Sequence, residues 1–152
     1  MDYNVIIVGA GPAGLCAAKE IMEHSKLTVL VIDQGHDVDQ RVCPATTYRG
    51  CTKCTPCNIM CGIGGAGTLS SGLLNLRPDI GGDLTNLIGS EKTALALIDE
   101  VDRTFLRYGA PNDIYNPTSA EAEELEREAA AVGVKFIPIP QRHIGTDRAP
   151  QV

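Results

Sequence analysis

At 152 residues and 43% hydrophobic content, the chain has the length of one domain and enough apolar material for a core. A formal net charge of -6 leaves no basic face for a phosphate backbone, which excludes nucleic acid as a partner. No uninterrupted apolar run approaches the roughly 20 residues needed to span a bilayer, and Met1-Asp2-Tyr3-Asn4 lacks the positive start of a secretory signal. The expectation is a cytoplasmic protein with no membrane partner. Six cysteines in that compartment point to metal or redox chemistry more than to structural disulfides.

The chain opens on an apolar run, Tyr3 to Val8, that reads as a strand and flows into Gly9-Ala10-Gly11-Pro12-Ala13-Gly14. A helix is predicted from about Pro12 to Ser25, with Leu15, Ala18, Ile21 and Met22 on one face and Cys16 as a small core residue. Leu27 to Ile32 then reads as a parallel strand covered on both faces, paired with the first through a right-handed crossover. Strand, glycines, helix and a terminal Asp33 occur in the order of a dinucleotide-binding βαβ unit. Gly9 permits the tight turn, Gly11 leaves room for a pyrophosphate, and Gly14 lets the helix sit close to the sheet. The helix N-terminus offers unpaired N–H groups to the phosphates. Eighteen residues lie between Gly14 and Asp33, close to the spacing that brings a carboxylate onto the ribose hydroxyls.

From Gly35 to Gly82 the pattern changes to a loop-rich insertion with five cysteines and many glycines, the kind of segment that is functional or held by a ligand. Helical periodicity returns at Glu91, with Ser90 as N-cap, a stripe of Ala94, Leu97, Ile98, Val101, Phe105 and Tyr108, and Gly109 with Pro111 as the stop. A further helix is expected from about Ser119 to Val132, with Thr118 and Glu121 as a capping box, Leu125, Ala129 and Val132 facing inward and Gly133 closing it. Val134 to Ile139 reads as a strand, and Gln141 to Val152 as a tail without an element. The fold class is α/β, a Rossmann-like FAD/NAD(P)-binding domain with a parallel sheet, incomplete and carrying the Cys/Gly-rich insertion at 35–82.

The fingerprint alone suits FAD or NAD, because both present ribose hydroxyls to a carboxylate. A second glycine cluster, Gly62-Ile-Gly64-Gly65-Ala66-Gly67 and onward to Gly72, tips the expectation to FAD, with backbone N–H groups of Gly64, Gly65, Ala66 and Gly67 forming an anion-binding nest against the cofactor. Cys51, Cys54 and Cys57 have the spacing of the first three ligands of a ferredoxin run, with Cys61 or Cys43 as the fourth. A 4Fe-4S cluster is the leading expectation and a structural zinc the alternative. A third reading takes Cys57 and Cys61 as a redox disulfide next to a flavin. His143 is a candidate acid or base, His24 and His36 read as solvent-facing, and Arg49 and Lys53 lie where they can offset negative charge on the thiolates.

Cys43-Pro44, the Cys51, Cys54 and Cys57 run, Gly64-Gly-Ala-Gly with Ser70, Leu74-Asn-Leu, Ile80-Gly-Gly and Arg142-His-Ile-Gly-Thr-Asp147 together resemble a poorly characterised family of FAD-dependent dehydrogenases. The resemblance implies a glutathione-reductase-like flavin-binding fold, FAD as cofactor, and hydride or electron transfer with a small-molecule substrate or an electron carrier. Ser71 and Leu73 stand where the family pattern has Asp and Lys, and Cys61 replaces a small hydroxyl residue. Members of the family are longer, so the chain is expected to be an N-terminal part, with the substrate domain supplied by further sequence or a partner chain. The isolated chain is then expected to be inactive. The competing expectation is a non-catalytic nucleotide- or metal-binding fragment.

Overall fold

The computed structural model describes residues 2–116 and 119–152. The chain divides into two compact units, Met1–Ser70 and Ser71–Val152, so the boundary falls inside the segment 35–82.

In the first unit, β1 (Val5–Val8) leads into α1 (Pro12–His24) and then β2 (Val29–Ile32). The strands pair in parallel, with Val5 opposite Val29 and Val8 opposite Ile32, as a βαβ crossover requires. Each strand is shorter than its apolar run. Asn4 and Thr28, just before the strands, bond to one another's side chains instead of extending the apolar ladder. Coverage of the sheet differs from the expectation of two buried faces. α1 packs on one face, where Ile7 lies, whereas Ile6 and Val8 on the alternate face of β1 are 60% and 82% exposed. The reason is that one helix can cover only one side of a two-stranded sheet. Along α1, Ala18 is buried and Ile21 half-buried, but Leu15 and Met22 are exposed, so the buried stripe is narrower than the apolar spacing suggested.

The rest of this unit is not structureless. A 3-10 turn spans Val38–Gln40, α2 is Ala45–Tyr48, and a second 3-10 turn spans Ala66–Leu69.

The second unit holds β3 (Leu73–Asn75), α3 (Leu84–Ile88), α4 (Glu91–Arg107), α5 (Ala120–Ala131) and β4 (Gln141–His143). α4 starts where expected, since the Ser90 side chain accepts from the Thr93 N–H. Ala94 is fully buried, with Ile98, Val101 and Phe105 half-buried, while Leu97 and Tyr108 are exposed. α5 is capped by Ser119, whose side chain accepts from the Ala122 N–H; Thr118 of the expected capping box lies outside the described residues. Leu125 and Val132 are 52% and 77% exposed, which corrects the inward face assigned to this helix. No residue of α5 is buried, and five glutamates and one arginine make half of its twelve residues charged.

The strand expected at Val134 to Ile139 does not form. Pro138 and Pro140 have no N–H to donate to a ladder, and pairing begins only after them. β4 occupies the start of the supposed tail and runs antiparallel to β3, with Leu73 opposite His143 and Asn75 opposite Gln141. A buried ion pair ties β4 to α4. Arg142, 2% exposed, donates from Nε and Nη2 to the two carboxylate oxygens of Asp102 on α4 at 2.5 and 2.7 Å, and from Nη1 to the Pro111 carbonyl. The bidentate bond to Asp102 holds the guanidinium firmly protonated.

Removing one partner of such a pair leaves a buried charge uncompensated. Asp102→Ala is expected to lower stability by about 3 to 5 kcal/mol, whereas Asp102→Ala combined with Arg142→Met loses clearly less. Urea denaturation of the three proteins checks the ordering.

Candidate functional site

The βαβ unit places the fingerprint glycines at the end of β1 and the start of α1. A Cβ on Gly14 would lie 1.9 Å from the Gly9 carbonyl oxygen and 3.3 Å from Ile7 Cγ2, so only glycine lets this helix lie so close to this strand. Pro12 and Ala13 form the first turn. Pro12 has no N–H to satisfy, the N-cap Gly11 makes no side-chain cap, and no acidic residue lies in that turn. The first turn itself therefore carries no carboxylate to compete for the positive end of the helix dipole.

The second glycine cluster sits on this turn. The Gly64 N–H donates to the Ala10 carbonyl at 2.8 Å. A Cβ on Gly65, whose φ is +69°, would lie 3.1 Å from Gly11 Cα and 3.2 Å from Pro12 Cδ. The space in front of Gly11 is thus bordered by Gly65, at 3.8 Å from a Gly11 Cβ, and the two glycine segments make one continuous backbone surface. Ala66 and Gly67 follow in the 3-10 turn, and a Cβ on Gly67 would meet nothing within 4 Å.

Asp33 lies at the end of β2, but both its carboxylate oxygens are engaged by backbone amides. Oδ2 accepts from Ala10 at 2.9 Å, and Oδ1 accepts from Gly35 and Gly62, each at 2.8 Å. The hydrogen bond from Ala10, then those from Gly35 and Gly62, together with the nearby Arg41 charge, hold the carboxyl below its ordinary range. Arg41, 4% exposed, escaped the sequence reading. It donates to the carbonyls of Asn58, Ile59, Ile63 and Gly65 at 2.7 to 3.0 Å. A buried arginine serving carbonyls has no periodic signature; Asp102 was missed as well, although its position four residues after Ile98 and three before Phe105 puts an acid within the helical stripe.

Cys43, Cys57 and Cys61 are half-buried, and Cys51 and Cys54 are exposed; all are free thiols. The Asn58 side chain donates to the Val42 carbonyl at 2.7 Å, which ties the chain before Cys43 to the chain after Cys57. The Lys53 N–H donates to Cys51 Sγ at 3.4 Å, Thr52 Oγ1 lies 3.1 Å from Cys54 Sγ, and Gln34 Nε2 donates to Cys61 Sγ at 3.1 Å. Cys57 and Cys61 share one turn, in which the Cys61 N–H donates to the Cys57 carbonyl. Arg49 and Lys53 both adopt left-handed backbone, at φ 53° and 54°, which is uncommon for residues with a side chain.

Among the described residues no three of these sulfurs lie within 4.8 Å of one another, and the only group of metal-ligating atoms so gathered is the exposed Glu20, Glu23 and His24 on α1. His24 and His36 are solvent-facing as expected. Cys16 is half-buried in α1. His143 is exposed on β4 in the second unit, edge-on to Tyr115.

Residues 7–40 match the family model described as an NAD(P)-binding Rossmann-like domain. This stretch runs from within β1 through α1 and β2, and it carries a dinucleotide-binding module of the oxidoreductase type. Neither a curated protein nor a solved structure matches the chain. Among the described residues no helix is long and apolar enough to cross a membrane.

Two outcomes follow from this geometry. Gly14→Ala forces a Cβ into the Gly9 carbonyl and is expected to cost about 1 to 3 kcal/mol or more, whereas Gly67→Ala, facing open space, stays within about 0.5 kcal/mol; chemical denaturation measures both. The depressed Asp33 carboxyl stabilises the fold in its ionised form. That contribution is complete above the unfolded value of about 3.9 and is lost as pH falls from there through the lower folded value. Thermal melts of wild type and Asp33→Asn are therefore expected to differ at neutral pH and to converge in acid.

Proposed function

We propose that this chain is the dinucleotide-binding part of an FAD-dependent oxidoreductase. The observation that carries the reading is the seating of the second glycine cluster on the fingerprint turn, through the Gly64 to Ala10 hydrogen bond and the Gly65 to Gly11 contact. A turn with one glycine motif offers a pyrophosphate one helix N-terminus. Here a second backbone segment without side chains runs beside it, which suits a larger dinucleotide held from two sides.

The residues fit the cofactor. Gly9, Gly11, Pro12, Ala13 and Gly14 would present the helix N-terminus to the pyrophosphate, and Gly64, Gly65, Ala66 and Gly67 would border it. When bound, FAD supplies the hydride or electron chemistry, and the protein binds and orients it. The substrate is a small molecule or an electron carrier.

The cysteine segment is proposed to hold a 4Fe-4S cluster through Cys51, Cys54 and Cys57, with Cys43 favoured over Cys61 as the fourth ligand. The closure of the segment by Asn58 and Val42 supports Cys43, and the engagement of the Cys61 sulfur by Gln34 points the same way. A tetrahedral zinc with Zn–S bonds of about 2.3 Å needs its sulfurs roughly 3.8 Å apart. The thiols as folded do not meet that spacing. A polynuclear cluster holds its ligands farther apart.

Anaerobically purified protein is expected to bind FAD at least tenfold more tightly than NAD, read by flavin fluorescence and calorimetry, and to contain iron and sulfide in equal amounts. Tight NAD binding with none for FAD overturns the cofactor assignment. Stoichiometric zinc without sulfide, or a Cys57–Cys61 disulfide without metal, overturns the cluster.

A further inference from the structure

We infer that Asp33 and Arg41 are positioning residues that clamp the second glycine segment onto the fingerprint turn, and that Asp33 in this role is not the ligand of the nucleotide ribose. The ribose part rests on the dinucleotide reading above; the clamp itself does not.

A carboxylate offers roughly four acceptor sites, and three of those on Asp33 are filled by amides at 2.8 to 2.9 Å. The donors come from three separate stretches. Ala10 belongs to the fingerprint turn, Gly35 to the turn after β2, and Gly62 to the second glycine segment. The chain approaches itself so closely there that a Cβ on Gly35 would lie 2.3 Å from the Gly62 nitrogen.

Arg41 supplies the complementary half. Its guanidinium is buried and donates to four carbonyls from Asn58 to Gly65, so the anion takes the Gly62 N–H of this stretch and the cation takes four of its C=O groups. A glycine-rich segment has few side chains to bury, and its ordering entropy must be offset by its backbone polar groups. The two ions satisfy those groups and set the position of Gly64 and Gly65 against Ala10 and Gly11. An acid at the end of β2 is thereby used to build the binding surface, not to touch the nucleotide.

Amide hydrogen exchange without any nucleotide tests the clamp. Asp33→Asn is expected to speed exchange at Ala10, Gly35 and Gly62 roughly tenfold or more while Ile7 and Val31 keep wild-type protection. Arg41→Lys, which retains the charge but not the fork of donors, is expected to do the same at Ile63, Gly64 and Gly65. Wild-type exchange at these amides in both variants overturns the clamp. If Asp33→Asn unfolds entirely, Arg41→Lys and the unmodified protein decide.

For the ribose, wild-type protein is titrated with FAD and with an FAD analogue lacking the adenosine 2′-hydroxyl. The expected difference is less than about fivefold, with Asp33→Asn weakening both by the same factor. A wild-type loss larger than that, abolished in Asp33→Asn, overturns the assignment. Should wild type bind no FAD while the exchange pattern is as expected, the cofactor proposal fails and the clamp stands.

Discussion

The arrangement of the first unit depends on the Asp33 carboxylate. It receives amides from the fingerprint turn, from the turn after β2 and from the second glycine segment. Hydrogen bonds to an ionised acceptor are stronger than those between neutral groups, and three on one side chain hold what burial alone does not. Arg41 completes the arrangement from the carbonyl side. Backbone that would otherwise need water is satisfied internally.

The second unit solves the same problem with an ion pair. Arg142 reaches Asp102 on α4 and the Pro111 carbonyl, and so holds a three-residue strand to a helix. Among the described residues no large apolar side chain is fully buried, and the most buried apolar positions are mainly alanines. In each unit charged side chains with several bonds do organising work that large side chains do in a thicker core. Such contacts are directional, so they specify geometry more than they add stability.

For function, the consequence is a division of labour within the dinucleotide module. Glycines supply close approach, as Gly14 does against Gly9 and Ile7, and ions supply position. The cysteine segment is a different kind of element. Its thiols are partly exposed, two cationic residues beside them adopt left-handed backbone, and its base is closed by Asn58 on Val42. Such a segment is organised at its ends by side-chain hydrogen bonds, with its most exposed cysteines, Cys51 and Cys54, between them.

The sequence by itself determined the βαβ unit, its glycine turn and the start of α4, because each of these is written in local signals. Apolar runs, glycines at fixed spacing and a serine before a helical stripe act within a few residues. What only the tertiary structure decided is where polar side chains go once distant stretches meet. Asp33, read as a ribose ligand, has its oxygens taken by amides up to 29 residues away, and Arg41 carried no local signal at all. Val134 to Ile139 has the apolar content of a strand, yet pairing passes to Gln141–His143, because prolines withhold donors and Arg142 is drawn to Asp102 forty residues away. Local pattern fixes which elements can form; long-range hydrogen bonds and charges decide which of them pair and what their polar groups are used for.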